Sequence, residues 1–217
     1  MISLDTNDLG FDKHKLAFPS LKTCMAVVYQ VNGGLFGWHD GYGKDEIFTM
    51  RCTQFQVFVQ NNALNHWQFG ENLFGLTNNK ERYFDTKEGL QKWKNDLLHV
   101  ASHLGFEGPV WGIRITKNIA RTIGTNDSLY ADFEYNTIHN KKRPILIRYK
   151  TWKEMRFSTV PQIPTTLKIY GHFDTMGRGE ESKVVVHKPV NDTLIAELND
   201  TNGSFFRIDE KEFIKFR

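Results

Sequence analysis

The chain has 217 residues, of which 40% are hydrophobic and 24% are charged. This length and composition exclude a disordered or fibrous chain and predict one globular domain over residues 1–217. The 28 basic and 25 acidic residues leave a net charge of +3. Because no long block of one sign occurs, nothing in the charge indicates a nucleic-acid or membrane partner. We also expect a monomer.

Cysteine content and the N-terminus indicate where the chain is made. Its two cysteines, Cys24 and Cys52, are too few for a disulfide framework. It contains no apolar run of about 18 residues, so we expect no membrane span. Acidic residues stand where a secretory signal would be apolar. We therefore expect synthesis in the cytosol without a Sec signal, with any export or translocation into a target cell by a specialised system. The sequons are interpreted as chance matches; they begin at Asn126, Asn191, Asn199 and Asn202.

In chain order, most of the predicted elements are strands. β-rich or alternating runs predict strands at residues 24–31, 35–39, 55–59, 110–116, 145–149, 166–173, 183–187, 193–198 and 204–208. The Asn-Gly dipeptides at 32–33 and 202–203 predict hairpin turns, the first between 24–31 and 35–39, the second between 193–198 and 204–208.

One helix is predicted over residues 86–104, where apolar residues recur at three- and four-residue steps. Asp85 or Thr86 serves as its cap, and Gly105 ends it. His99 and His103 on this helix have the spacing of metal ligands, but no acidic residue completes an H-E-x-x-H pattern. We interpret them as structural and expect no metal. Many strands with one clear helix predict an α+β fold, a mostly antiparallel β-sandwich or half-barrel flanked by helices.

A cysteine and a histidine on the first hairpin are the candidate catalytic pair. If the Asn-Gly turn has two residues, Ala26 pairs with His39 and Cys24 faces Gly41. Cys24 and His39 then lie on one face as diagonal neighbours, with backbones about 7–8 Å apart. Side chains of diagonal neighbours can lean toward each other, so the imidazole of His39 can activate the thiol of Cys24. Gly41 would leave open space for a substrate. The structural alternative is a small buried cysteine beside a hydrogen-bonded histidine.

This stretch resembles a known family of enzymes. The sequence Leu21-Lys22-Thr23-Cys24, a short hairpin and His39-Asp40-Gly41 resemble the catalytic core of the cytotoxic necrotizing factor deamidases. The cysteine–histidine core of CheD and of Burkholderia lethal factor is similar, with looser spacing. The likeness covers only residues 21–41. It implies a β-sandwich flanked by helices and a bacterial toxin or effector domain that needs no cofactor.

The resemblance also implies roles for individual residues. Cys24 is the nucleophile that deamidates a glutamine of a target protein, such as a GTPase, through a thioester, and His39 is the acid and base. Although the family has Ser-Gly where this chain has Lys22-Thr23, we expect the backbone N–H groups of Thr23 and Cys24 to hold the oxyanion. The third group of the catalytic site, which orients His39, is expected to be the backbone carbonyl of Phe18.

Several alternatives remain open from the sequence. His172 and Asp174 form another polar pair that could approach the site and orient His39. The same dyad would serve a cysteine peptidase or a transglutaminase. A non-enzymatic immunity or adaptor module would instead use the aromatic segments 65–74 and 149–157 as partner surfaces, although we favour their assignment to the core. Cys52 has no suitably placed histidine and is interpreted as structural.

Overall fold

The structure is a computed structural model that describes residues 2–41, 44–62, 70–114, 129–135, 145–151, 157–161, 169–173, 179–180, 185–189, 196–198 and 205–208. Its helices are α1 (Asp45–Asn62), α2 (Lys80–Tyr83) and α3 (Lys87–Leu104). The strands are β1 (Ile2–Ser3), β2 (Asp8–Asp12), β3 (Lys15–Leu21), β4 (Met25–Val31), β5 (Gly34–Asp40), β6 (Gly70–Thr77), β7 (Val110–Arg114), β8 (Leu129–Tyr135), β9 (Ile145–Thr151), β10 (Phe157–Pro161), β11 (Ile169–Phe173), β12 (Gly179–Glu180), β13 (Val185–Pro189), β14 (Ala196–Leu198) and β15 (Phe205–Ile208).

Most of these strands form two large sheets. The eight-stranded sheet has the order β12-β11-β2-β5-β4-β6-β7-β15, and the five-stranded sheet has the order β1-β3-β8-β9-β14. Strands β10 and β13 pair separately. The pairings of β1 with β3 and of β6 with β7 are parallel, and the other pairings between described strands are antiparallel. The prediction of an α+β fold with mostly antiparallel strands is confirmed.

Two apolar clusters show how the layers pack. The first lies between one face of the eight-stranded sheet and helices α1 and α3, and it includes Trp38, Phe55 and Trp93. The second lies between the opposite face and the five-stranded sheet, and it includes Val28 and Phe133. The eight-stranded sheet is therefore the middle layer, which is why residues on both of its faces are buried.

Helix α3 agrees with its prediction almost to the residue. Thr86 is the N-cap, and its hydroxyl accepts a hydrogen bond from the N–H of Gly89 at 2.9 Å. Of the two predicted caps, the structure therefore uses Thr86 rather than Asp85. The helix ends at Gly105, whose φ of 62° lies in the left-handed region. Capping signals at both ends explain why this element could be predicted from local sequence.

The predicted strand at residues 55–59 is wrong, because this segment belongs to α1. Phe48, Cys52, Phe55 and Val59 recur at three- or four-residue spacing and are all buried. That spacing places them on one helical stripe that packs against the sheet. The alternation in FQVFV is a coincidence within this longer helical pattern.

The second predicted hairpin is also wrong. Strand β14 pairs with β9 in the five-stranded sheet, whereas β15 pairs with β7 in the eight-stranded sheet. The two strands thus add to different layers, because pairing with distant strands outweighs the local Asn-Gly signal. The predicted strands at 110–116, 145–149, 166–173 and 183–187 correspond to β7, β9, β11 and β13 over their described residues.

Other parts of the molecule bear on the predicted surfaces and partners. In the aromatic segment 65–74, Leu73 and Phe74 are fully buried, which supports their assignment to the core. Residues 63–69 and 152–156 lie outside the described residues, and so do the four sequons.

None of the helices in the described part of the chain combines the length and apolarity needed to cross a membrane.

Candidate active site

The hairpin of β4 and β5 has the predicted register. Val31 pairs with Gly34 across the turn, and Ala26 pairs with His39. Directly paired residues in a sheet point to the same face. Ala26 belongs to the cluster between the two sheets, and so does Cys24. Cys24 and His39 therefore share the face that the sequence predicted.

Both members of the pair are shielded from solvent. The side chain of His39 is fully buried, and Cys24 is 8% exposed. Neither Cys24 nor Cys52 is in a disulfide. The hydroxyl of Thr6 lies 4.0 Å from the Sγ atom of Cys24. The pair thus lies just below the surface, at the end of β5 and immediately before β4.

The orientation of His39 is set by a backbone carbonyl. Nδ1 lies 2.7 Å from the carbonyl oxygen of Leu4. Because a carbonyl can only accept, Nδ1 carries the proton and Nε2 carries a lone pair. Burial lowers the pKa of His39 to about 4, against the raising effects of the Leu4 carbonyl and the Asp5 carboxylate. The imidazole is therefore neutral near pH 7, as a general base must be.

Nε2 is the unused atom of this ring. It is buried and has no hydrogen-bond partner among the described residues. Consequently, Nε2 and the thiol of Cys24 do not form a direct hydrogen bond in this arrangement. A buried base whose lone pair is not hydrogen-bonded is able to accept a proton from a group that moves next to it.

The prediction that the carbonyl of Phe18 would orient His39 needs correction. Leu4 supplies that carbonyl because β1 pairs in parallel with β3 and brings the following residue beside β5. Phe18 lies on β3 in the five-stranded sheet, where it pairs with Ala131 of β8. It contacts His39 through its ring, edge-on, with 6.0 Å between the ring centroids.

The predicted supporting residues lie further away or outside the described residues. His172 lies on β11, where it pairs with Asp8 of β2. Since β2 separates β11 from β5, the backbones of His172 and His39 are two strand spacings, about 10 Å, apart. Leu4 performs the orienting role instead. Asp174 lies outside the described residues.

A tight turn at residues 5–8 covers the thiol. The N–H of Asp8 donates to the carbonyl of Asp5 at 2.9 Å, and the N–H of Asp5 donates to the Asp8 carboxylate at 2.7 Å. Asn7 has a φ of 71°, in the left-handed region, which asparagine adopts more readily than most residues. Its N–H donates to the carbonyl of His39 at 2.8 Å. The turn is therefore closed on itself and attached to β5.

The expectation of open space for a substrate beside Gly41 is wrong, because the turn at residues 5–8 lies there. A Cβ atom on Gly41 would lie 2.5 Å from Cγ2 of Thr6 and 2.9 Å from Oδ1 of Asn7. The turn therefore fills the volume that the missing side chain leaves. Gly41 permits this close approach of the turn and does not form a substrate cavity.

The backbone beside the thiol is held by two residues that the sequence analysis did not single out. The hydroxyl of Thr77 donates to the carbonyl of Cys24 at 3.0 Å. The side-chain amide of Asn79 donates to the carbonyl of Thr23 at 2.9 Å. Thr77 ends β6 next to Met25, and Asn79 is the N-cap of α2. Asn79 itself was the available signal, because asparagine is favoured at N-caps, but it predicts a cap and not a contact with Thr23.

The opposite face of β5 carries a buried ion pair. The guanidinium of Arg51 donates to the Asp40 carboxylate at 2.9 Å and to the carbonyl of Gly41 at 2.7 Å. Burial raises the pKa of Asp40 to about 6, against the lowering effect of Arg51. Burial also raises the pKa of the Cys52 thiol far above its usual range, and the nearby carboxylates of Asp40 and Asp96 add to this effect. Cys52 is therefore a poor nucleophile.

The two histidines on α3, His99 and His103, lie next to each other. The ring centroids of His99 and His103 lie 4.6 Å apart. Burial and the neighbouring His99 lower the pKa of His103. Within the described residues, no group of three or more histidine, cysteine or acidic side chains is arranged to hold a metal ion.

Comparisons of the chain with family models, curated proteins and solved structures find no match. The class of protein is therefore defined by the geometry described above. It is an α+β protein in which a cysteine and a neutral histidine share the buried face of a hairpin under a tight turn.

Proposed function

We propose that the protein is a cysteine-dependent amidohydrolase that deamidates glutamine side chains of a target protein. The observation that carries this proposal is the state of His39. Its ring is buried and neutral, a backbone carbonyl binds Nδ1, and Nε2 keeps an unused lone pair on the face that carries Cys24. A thiol beside such a base is the arrangement that nucleophilic cysteine catalysis requires.

In the first half of the reaction, Sγ of Cys24 attacks the carbon of the glutamine carboxamide while Nε2 of His39 takes the thiol proton. The carbonyl oxygen becomes a tetrahedral oxyanion. The carbon–nitrogen bond then breaks, His39 donates its proton to the leaving nitrogen, and ammonia departs. A thioester between the substrate and Cys24 remains.

In the second half, His39 takes a proton from a water molecule that attacks the thioester. The carbon–sulfur bond breaks, the thiol recovers its proton and glutamate is released. The sum of both halves is glutamine plus water giving glutamate plus ammonium, because ammonia takes up the proton of the new carboxylic acid. No metal or organic cofactor takes part in these steps.

Burial of the pair favours a side-chain carboxamide over a main-chain carbonyl. Cys24 is only 8% exposed, and the turn at residues 5–8 lies against it. A glutamine carboxamide stands at the end of a long, unbranched side chain and can reach a thiol below the surface. A peptide bond would have to bring its own backbone into the same space, so the geometry supports deamidation or transamidation better than proteolysis.

The turn must move before any substrate reaches the thiol. Asp5 is exposed and Thr6 and Asn7 are half-buried, so the turn lies at the surface and only these residues need to shift. Leu4 is held separately, because its N–H donates to the carbonyl of Ala17 at 2.8 Å. His39 can therefore keep its orienting carbonyl while the turn opens.

The test compares the wild type with Cys24→Ser in lysates of candidate target cells, with Cys52→Ser as the matched control. Mass spectrometry should find a glutamine converted to glutamate with the wild type and with Cys52→Ser but not with Cys24→Ser. Iodoacetamide should also modify Cys24 faster than Cys52. If all three proteomes are identical and the two cysteines react equally, the proposal fails and the binding-module alternative gains support.

A further inference from the structure

We propose that Thr77 and Asn79 are positioning residues, which orient the peptide groups on both sides of the Cys24 Cα so that the Cys24 N–H faces the developing oxyanion. This inference rests on the proposed function, because it assigns a role in that same reaction. It concerns two buried residues from the end of β6 and the start of α2 that touch the backbone of the nucleophile and not its thiol.

The two residues form one continuous chain of hydrogen bonds. The hydroxyl of Thr77 donates to the carbonyl of Cys24 at 3.0 Å and accepts from the N–H of Asn79 at 3.1 Å. The amide of Asn79 donates to the carbonyl of Thr23 at 2.9 Å and accepts from the N–H of Arg82 at 3.1 Å. Thr77 is fully buried and Asn79 is 5% exposed. Buried polar groups in such a hydrogen-bond network hold a single geometry.

The position of Cys24 in the chain explains why this support is needed. The ladder between β4 and β5 begins at Met25, one residue later. Residues 22 and 23 form a bend, and Thr23 is exposed. The Thr23–Cys24 peptide therefore lies outside the strand, where the pairing of β4 with β5 does not set its orientation. Asn79 supplies the missing constraint.

Fixing a carbonyl also fixes the N–H of the same peptide group. In a planar trans peptide the C=O and N–H bonds point in opposite directions. Because the Thr23 carbonyl points at Asn79, the Cys24 N–H points away from α2. A preoriented N–H is most valuable where charge develops in the transition state, since it needs no reorganisation at that moment. The chain thus has a side-chain support beside its nucleophile, where the resembling family has Ser-Gly.

The test separates amide hydrolysis from thiol reactivity. Alkylation of Cys24 by iodoacetamide forms no oxyanion, whereas release of ammonia from the dipeptide probe benzyloxycarbonyl-glutaminylglycine does. We expect Thr77→Val to lower kcat for ammonia release by roughly ten- to hundred-fold, with KM and the alkylation rate changed less than about two-fold. Thr77→Ser keeps the hydroxyl and should retain the wild-type kcat. Asn79→Ser keeps a cap for α2 but is too short to reach Thr23, and should behave as Thr77→Val does.

A second measurement does not depend on activity. NMR relaxation should show the order parameter of the Cys24 N–H falling from about 0.85 to below about 0.6 in Thr77→Val and in Asn79→Ser, and staying at the wild-type value in Thr77→Ser, because the peptide group is no longer held. An unchanged order parameter of the Cys24 N–H and an unchanged kcat in Thr77→Val overturn the positioning role. Equal losses of kcat and of alkylation also overturn it, because the thiol itself is then displaced. A wild type that releases no ammonia while the order parameter of the Cys24 N–H responds as expected contradicts the proposed function and leaves the orientation of the peptide established.

Discussion

Replacing His39 by asparagine should change how the stability of the protein depends on pH. Asparagine keeps an N–H donor near the position of Nδ1, so the hydrogen bond to the Leu4 carbonyl can be retained. It removes the titrating nitrogen. The difference in unfolding free energy between wild type and His39→Asn therefore isolates the protonation of His39, because the other titrating groups are common to both proteins.

The sign and size follow from the burial of the ring. Burial lowers the pKa of His39 from 6.5 to about 4, so between these values the unfolded chain binds a proton that the folded protein does not. Stability must then rise with pH across this window and be lost as pH falls through it. Taking both pKa values, the wild type should gain about 2–3 kcal/mol relative to His39→Asn between pH 4.5 and pH 7.5.

The measurement is urea unfolding of both proteins at several pH values, followed by the fluorescence of the buried Trp38 and Trp93. A difference that does not vary with pH would show that His39 titrates normally and is not buried as described. A wild type that becomes relatively more stable as pH falls would show a protonated His39 in the folded state. Either result refutes the assignment of a neutral base to this site.

Further predictions concern the turn, the ion pair and a helix cap. Gly41→Ala should cost about 1–3 kcal/mol because its methyl group would overlap Cγ2 of Thr6; adding Thr6→Ser should recover part of this in a double-mutant cycle, and strict additivity would contradict the contact. Arg51→Met should cost about 3–5 kcal/mol because the buried Asp40 loses its nearest cation. The double variant with Asp40→Asn should be more stable than Arg51→Met alone by urea unfolding, and the reverse order would contradict the pair. Thr86→Ala should lower the unfolding free energy by about 1 kcal/mol through loss of the α3 cap, and no measurable change would argue against that cap.

The parts of the fold that were predicted correctly depend on short-range signals. The Asn-Gly turn after Val31 sets the register of β4 and β5, because a two-residue loop allows only one register, in which Val31 pairs with Gly34. Helix α3 has signals at both ends and an apolar stripe between them. In both elements, the residues that determine the structure are close in the sequence, because they belong to a single hairpin turn or to a single helix.

The parts that were missed depend on contacts between distant segments. Helix α1 contains an alternating apolar run, and only packing against the middle sheet shows that its buried residues follow helical spacing. The destinations of β14 and β15 depend on which sheet edges are available to them. Neither choice is encoded within the segment itself.

The same distinction applies to the site. The sequence could place Cys24 and His39 on one face because a single hairpin carries both. It could not find Leu4, Thr77 or Asn79, because these residues are distant in the sequence. Leu4 follows β1, Thr77 ends β6, and Asn79 is the N-cap of α2. The four residues 5–8, Asp-Thr-Asn-Asp, are typical of a turn. Nothing in them indicates that the turn covers the thiol.

Burial of His39 has two opposing effects on the proposed reaction. It keeps the imidazole neutral, which makes Nε2 a base, but it also keeps the substrate out. One segment produces both effects, since Leu4 orients the ring while Thr6 and Asn7 fill the space beside Gly41. These functions are separable, because Leu4 is anchored to Ala17 and residue 8 begins β2, so that motion can be confined to residues 5–7. A target that displaces this short turn would expose the thiol to a base that is already oriented.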